Sequence, residues 1–571
     1  MSRTPNTPGI DLSLIDGLAG ILNYTPTTES VLVIGPATDG PVDQIVKLGG
    51  TGLKPEVVYG PMQYTAQYTG PASETTGWNG NFLIKGYKEV QKGGCQNIWL
   101  LRVGGTVATG TFTNGAPSSG LTGTITIASP YGGRIYNQTT VAFTSGSTSG
   151  YVTIGQPAAK GGNVVIQYKE ASSGLTVLQL INQMNSDPRN RTAKFTAGTI
   201  ATTGLARDLQ GAATVTLAGG TDGTDMDDLS SNRIPLYTNI TDTATGALIL
   251  TEEDNPDHVY ISGLYADDKC HASDTTISIM TTFSTWLAKR AIDYPIMGWL
   301  GMRPCPDVQT KTLRDTHYTD LIRVTNGTRA TNQIYAGYFL KNGFTYADSN
   351  LGTTVDSGMR LVVCEIDAVM VDDILGQYID SAAGVAAGFT SALPPPEPLT
   401  FKPIPGIIRL NMRFSPDQLD TLLAGLGQDT NAGVVGGGSY LCGLYRSGYG
   451  YLFAKDTSCA KKNSDYRNIQ ILRIADRIHK TVRNIAFPYL GRPYDMQHRQ
   501  ALETSVRRAM NDLADLGYLL GKEGIGYTLK ITGASSPFEM SAGRLTIDLG
   551  VVPVGQINKI DIRVDVSNPS N

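Results

Sequence analysis

Polar and apolar positions alternate most cleanly near the two ends of the chain. Close to the N-terminus, DLSLI places Leu12 and Leu14 on one side, in a segment punctuated by Pro5 and Pro8 and too short to fold alone. At the C-terminus, NKIDIRVDV sets Ile560, Ile562, Val564 and Val566 against Asp561, Arg563 and Asp565. Both read as strands with one face to bury. Between them, SVLVIGPATDGPVDQIVKL predicts a buried strand, a Gly/Pro turn and a second strand, and a helix is expected from about Asn81 to Gln91, followed by a strand in NIWLLRV.

The pattern changes after Gly104. Short alternating runs (GTITIAS, TTVAFTS, GYVTIG) separated by glycines predict an inserted antiparallel β-sandwich or barrel, with one helix whose Val177, Leu180, Ile181 and Met184 share a face. Between Gly104 and Ala159 the only charged residue is Arg134. The insertion closes with TVTLAGGTDGT. Strand and helix patterns then alternate: HVYISG, the helix SIMTTFSTWLAKRA, YPIMGWLG, the helix TDLIRVTN, and the expected strands QIYAGYFL and RLVVCEI. That alternation predicts a mixed sheet covered by helices. A small-residue helix in SAAGVAAGFTSA ends at a proline-rich stop.

In the last hundred residues, Ile471, Ile474, Ile478, Val482 and Ile485 share one side of a helix spanning about Tyr466–Ala486, with Arg473, Arg477 and Lys480 opposite. A second helix, about Gln497–Leu520, carries Leu502, Val506, Ala509, Leu513 and Leu516 as its stripe, with Gly517 and Gly521 as candidate stops. Strands YTLKI and RLTIDLGVV follow. The fold class expected is mixed α/β and β, multidomain. Its parts are an N-terminal arm (1–25), the first part of an α/β domain (26–105), the inserted β domain (106–213), the main α/β domain (214–460), an α+β C-terminal domain (461–556) and a C-terminal arm (557–571).

At 571 residues and 60.9 kDa, the chain is too long for one core. Only 17% of it is charged and it has 66 glycines, as suits a β-rich protein whose surface is largely covered by copies of itself. A net charge of −4 argues against nucleic acid as a main partner. The opening residues lack a signal-peptide core and no long uncharged apolar run occurs, so no membrane insertion is expected and folding in a cytoplasm is.

Cys95, Cys270, Cys305, Cys364, Cys442 and Cys459 show no metal spacing. Cys364 and Cys442 lie in apolar runs, whereas Cys270 (DDKCHAS) and Cys459 (DTSCAKK) have polar neighbours and are expected to be accessible, either as free thiols or as crosslinks between copies. None of the five histidines has HExxH spacing. No GxSxG elbow occurs, and GVVGGGSYLCG lacks the lysine of a phosphate loop. No catalytic residue, cofactor or metal is therefore assigned. The one electrostatic feature is Lys461–Met510, where 11 basic residues face 4 acidic ones, a local excess of +7. It reads as a solvated helix face or as a surface for an acidic protein.

Several local pieces, in collinear order, resemble the sheath proteins of contractile phage tails. They are PGIDLSLID, VLVIGPATDGPVDQIVKL, KGGCQNIWLLRVGG, LAGGTDGT, YRNIQILRIADRIHKTVRNIAFPYLG with SVRRAMNDLADLGYLLG, and GRLTIDLGVVPVGQINKIDIRV. The chain departs from the family at Val554-Gly555-Gln556 and at PYLGRPY. The resemblance implies a homo-oligomer of stacked six-membered rings around an inner tail tube protein, with baseplate and terminator proteins at the ends and the virion tail as location. It implies that the arms, through Leu12, Leu14, Ile560, Ile562, Val564 and Val566, add strands to adjacent subunits. It also suggests that Arg473, Arg477 and Lys480 face an acidic tube. A tail-derived bacteriocin or injection machine is the alternative within this class. A β-rich adhesin is the alternative outside it.

Overall fold

The computed structural model describes residues 29–555, apart from internal stretches of which the longest are 61–80, 222–233, 425–438 and 533–545. The expected donated strands at Leu12 and Leu14 and at Ile560–Val566 lie outside the described residues.

The centre is a six-stranded sheet. Its strands are β1 (Val31–Gly35), β2 (Ile45–Lys47), β3 (Ile98–Arg102), β4 (His258–Ile261), β5 (Met297–Gly301) and β6 (Leu361–Cys364), in the order β6-β5-β4-β1-β3-β2. All neighbours are parallel except β2, which runs antiparallel to β3 at the edge. Strands 1, 4, 5 and 6 are buried at every position, as parallel strands covered on both faces must be. The period-2 rule divides their side chains between two cores. Leu32, Ile34, Val259, Ile261, Leu300, Leu361 and Val363 point to one, together with Phe283 and Leu287 of helix Ile279–Ala291. Val31, Val33, Leu100, Tyr260, Trp299 and Val362 point to the other.

Two helices cover that second face: α1 (Phe82–Lys92), capped by the Asn81 side chain on the Ile84 N–H, and α2 (Ala383–Ala392). They approach closely because α2 carries glycines at the contact. A Cβ on Gly384 would lie 2.8 Å from Glu89. A three-stranded antiparallel sheet, β7 (Asp367–Asp372) between β8 (Gly376–Ser381) and β9 (Ile407–Leu410), adjoins α2.

The segment after β3 forms its own domain of two antiparallel sheets. Val107–Asn114, Gly123–Gly132 and Lys194–Ala197 form one, and Thr214–Thr216, Thr140–Ser145, Gly150–Gly155 and Val164–Lys169 the other. They enclose a core that includes Phe112 and Phe143, whose ring centroids are 4.1 Å apart, and the Val177–Ser186 helix lays Val177, Leu180, Ile181 and Met184 into it. Its last strand lies past residue 213, and Thr106 still bridges Thr221. One strand expectation is overturned. QIYAGYFL pairs only at Gln333–Ile334 and then turns into the helix Ala336–Asn342, because Ala336, Phe339 and Leu340 are buried at helical spacing.

The C-terminal domain packs α3 (Ile469–Ala486) against α4 (Met496–Asp515) and a hairpin of β10 (Tyr527–Thr532) and β11 (Thr546–Val551). Helix α3 has apolar contacts on two sides. Ile469 and Leu472 join the core beneath the central sheet, while Ile474 and Ile478 join Leu502, Val506, Met510 and Leu513 of α4. Each fully buried aliphatic side chain contributes about 1.5–3 kcal/mol, so α3 is the shared wall of two domains.

Candidate functional site

The faces of α3 left by its two apolar contacts carry its charges. Arg473, Asp476, Arg477 and Lys480 line a small cleft of about 50 Å³ with Glu29, Asp257, His258, Pro295 and Met297. Glu29 is the first described residue after the N-terminal arm, so the cleft lies at the root of that arm.

Each polar partner there has a defined role. Arg473 donates from Nε and Nη2 to Glu29 Oε2 at 3.1 and 3.0 Å, and from Nη2 to the Leu393 carbonyl at 2.6 Å. His258 Nε2 lies 2.7 Å from the same Glu29 oxygen. The Trp299 indole N–H, which can only donate, reaches His258 Nδ1 at 3.1 Å. The imidazole is thereby fixed as the neutral tautomer that donates from Nε2 to Glu29. The Glu29 N–H donates to the Ser391 carbonyl, and both Ser30 N–H and Ser30 O–H donate to Asp257 Oδ2, at 2.8 and 2.9 Å. Lys480 pairs with Asp257, and Asp476 takes a bidentate pair from Arg360 at 2.7 and 2.8 Å.

These contacts set the protonation states. Burial pushes the Asp257 carboxyl up, but Lys480 and the Ser30 N–H outweigh it and hold the group down at about 2. Burial likewise raises Glu29, and Arg473 and His258 overcome it, leaving its carboxyl below the ordinary value. Lys480 is raised because its pairing with Asp257 exceeds the burial that would lower it. The arm root is a network of formal charges held shut at neutral pH.

The root of the C-terminal arm reaches the same helix. Gln470, one turn before Arg473, donates from Nε2 to the Val554 carbonyl at 3.2 Å and also to the Pro396 carbonyl. The Val554 N–H donates to the Tyr518 carbonyl, and Leu519 bridges Pro553. Glu29 and Val554, near the two ends of the described residues, are therefore held within one turn of α3.

This arrangement corrects the expected outward orientation of Arg473. Arg473 is 3% exposed and is satisfied within the chain by Glu29 and Leu393, and Lys480 is paired with Asp257. Arg477 shares their cleft. The sequence shows that these residues share a side of a helix, but not that a second domain covers it. Glu29, Asp257 and His258 went unnoticed because their partners are more than 200 residues away in sequence. Expected exposure of Cys270 and Cys459 is also overturned, since they are 1% and 0% exposed. Their polar neighbours, Asp268, Thr457 and Ser458, are themselves buried. Burial pushes the Cys459 thiol up to about 12 and the Cys270 thiol upward as well, so neither is poised to crosslink copies. Among the described residues no cluster of metal-ligating side chains occurs, and no helix is long and apolar enough to cross a membrane.

Neither protein-family models nor curated protein sequences match this chain. Solved structures do. A sheath tail protein from Listeria innocua superimposes with a TM-score of 0.54 at 15% identity, over 95% of this chain and 96% of that one. The chain has the sheath tail protein fold. A sheath tail protein from Desulfitobacterium hafniense aligns over 93% of this chain and 98% of its own, with TM-score 0.49 and 14% identity. The contracted helical sheath of the anti-feeding prophage aligns over 58% of this chain and 80% of that chain, with TM-score 0.37 at 14% identity. The fold shared with the Listeria protein covers 95% of this chain.

Proposed function

We propose that this chain is the structural subunit of a contractile tail sheath. It polymerises in stacked six-membered rings around an inner tube, between baseplate and terminator proteins, and contracts to drive that tube through a bacterial envelope. The observation carrying this reading is the end-to-end match to a sheath tail protein, 95% of one chain on 96% of the other. Convergence of both arm roots on α3 supports the strand-exchange part of it. Arms anchored so firmly at their roots can bear load at their tips.

In this reading Leu12 and Leu14 in one arm, and Ile560, Ile562, Val564 and Val566 in the other, supply strands to neighbouring subunits. The β10–β11 hairpin is the proposed acceptor, because among the described residues its two strands pair with each other and, beyond that, only at the Tyr527–Glu523 bridge. Added strands satisfy open backbone groups at an edge, each hydrogen bond contributing about 0.5–1.5 kcal/mol. Contraction is then a switch between two packings of the same subunits and requires no nucleotide. Electron microscopy of the purified full chain tests the proposal: striated hollow cylinders are expected, and protein that remains monomeric at its solubility limit overturns it. Chains lacking residues 1–25 or 557–571 should stay folded monomers under conditions in which the full chain polymerises.

A further inference from the structure

Between α1 and β8 lies a cluster that the sheath reading does not use. Lys85 and Glu89, one turn apart on α1, are 1% and 0% exposed, and Asp380 at the end of β8 is 1% exposed. Lys85 Nζ meets Asp380 Oδ2, and Glu89 Oε1 is 3.9 Å from the same nitrogen. The other Asp380 oxygen, Oδ1, accepts from the Tyr265 O–H at 2.8 Å and from the Ser381 N–H at 2.7 Å. Glu89 Oε2 accepts from the Tyr260 O–H at 3.0 Å. The rings of Phe82 and Tyr265 close over Nζ, with centroids at 5.4 and 5.9 Å.

A simple ion pair is a poor use of such a site, because removing both charges from water costs about as much as their attraction returns. A proton passed from the ammonium to the carboxylate leaves a neutral amine against a neutral acid, which a dry aromatic pocket favours. The remaining features are those of acyl transfer: a nucleophilic amine, a carbonyl oxygen polarised by two donors, a neighbouring carboxyl and excluded water. Burial keeps Glu89 above its ordinary value despite the opposing influence of Lys85, so it can act as a proton donor.

We propose that Lys85 and Asp380 become joined by an intramolecular isopeptide bond, with Glu89 as the proton shuttle. The Nζ lone pair attacks Asp380 Cγ, and the carbonyl electrons move to Oδ1 between Tyr265 and Ser381. Glu89 gives its proton to the departing Oδ2 hydroxyl and takes one from Nζ. The C–O bond breaks, one water leaves, and an amide N–H remains. Amine plus carboxylic acid becomes amide plus water, with Glu89 regenerated and no oxidant or nucleotide consumed. The event occurs once per chain. It staples α1 to the strand that leads into α2, and so fixes the two helices that cover this face of the central sheet to each other.

The test is mass spectrometry of the denatured full chain, which is independent of whether the chain forms sheaths. The expected mass is one water below that of the sequence, with a branched peptide joining Lys85 to Asp380 after digestion. Lys85→Arg and Glu89→Gln should each restore the missing water and yield linear peptides. Wild-type protein at full sequence mass overturns the proposal, as does a water loss that persists in Lys85→Arg. A branched peptide that persists in Glu89→Gln removes Glu89 from the reaction. The wild-type mass alone can refute the bond, however the variants fold.

Discussion

Asp257→Asn isolates the electrostatic part of the clasp at the N-terminal arm root. The substitution keeps the side chain's shape and leaves Ser30 an oxygen acceptor, but it removes the charge that Lys480 faces. In the folded chain the Asp257 carboxyl sits at about 2 rather than 3.8. At about 1.4 kcal/mol per pH unit, its ionised form is held by about 2.5 kcal/mol before screening. The side chain is 29% exposed, so screening trims this figure to about 2 kcal/mol. Its folded value lies below its unfolded one, so the stabilisation is complete above 3.8 and is lost as pH falls through about 2. Hydrogen exchange reads the result directly, because the Ser30 N–H donates to this carboxylate and the Glu29 N–H to the Ser391 carbonyl. At neutral pH the variant should lose protection at residues 29–31 by roughly 30-fold, the equivalent of about 2 kcal/mol. On acidification the gap between the two proteins should close as pH falls through about 2, on top of a loss common to both as the Glu29 carboxyl is protonated. Equal protection in the two proteins at neutral pH would refute the clasp.

Other consequences are quicker to check. All six cysteines are buried and free, so a thiol reagent should label none in the native protein and all six in denaturant. Rapid native labelling of Cys270 or Cys459 would show that their loops open. Ile474→Ala, at a fully buried position of the C-terminal core, should cost about 2–5 kcal/mol and lower that domain's melting temperature. A loss under about 1 kcal/mol would mean that α3 does not share this core. Residues 104–221 expressed alone should give a dispersed amide spectrum, because the domain has its own apolar core; a collapsed spectrum would show that it depends on the central sheet.

What the sequence made legible was local periodicity. Val31–Gly35, Phe82–Lys92, Val177–Ser186, Ile279–Ala291 and Met496–Asp515 all announce themselves in the sequence by their apolar pattern. The failures came where one residue answers to two neighbourhoods. In α3 the visible stripe of Ile474 and Ile478 describes one contact, while Ile469 and Leu472, off that stripe, make the second. Arg473 is consequently covered, although a helical wheel assigns it to solvent. Around Cys270 and Cys459, polar neighbours suggested exposure, yet Asp268 and Ser458 are 0% exposed. Asp268 pairs with Arg303, and Ser458 is hydrogen-bonded to the Arg467 carbonyl. A polar run signals a surface only when its hydrogen bonds go to water, and sequence does not show where they go.

The grip on the two chain ends has a mechanical logic if the arms carry load between subunits. Glu29 and Val554 are held by Arg473 and Gln470, three residues apart and so within about 4.5 Å along the helix axis. A pull on the N-terminal arm is taken by a carboxylate with one guanidinium and one imidazole donor, whose charge-assisted bonds are each worth about 1.5–3 kcal/mol. It passes into α3 and leaves through the C-terminal arm within a single turn. The long parallel sheet and the inserted domain then bear little of that force. What must stay rigid is α3 itself, and the chain makes it so by burying the helix against two cores at once. On this argument the charged face of α3 holds the subunit's own connectors in place. Substitutions at Arg473 should therefore loosen the root of the N-terminal segment and, if the arms join subunits, uncouple them.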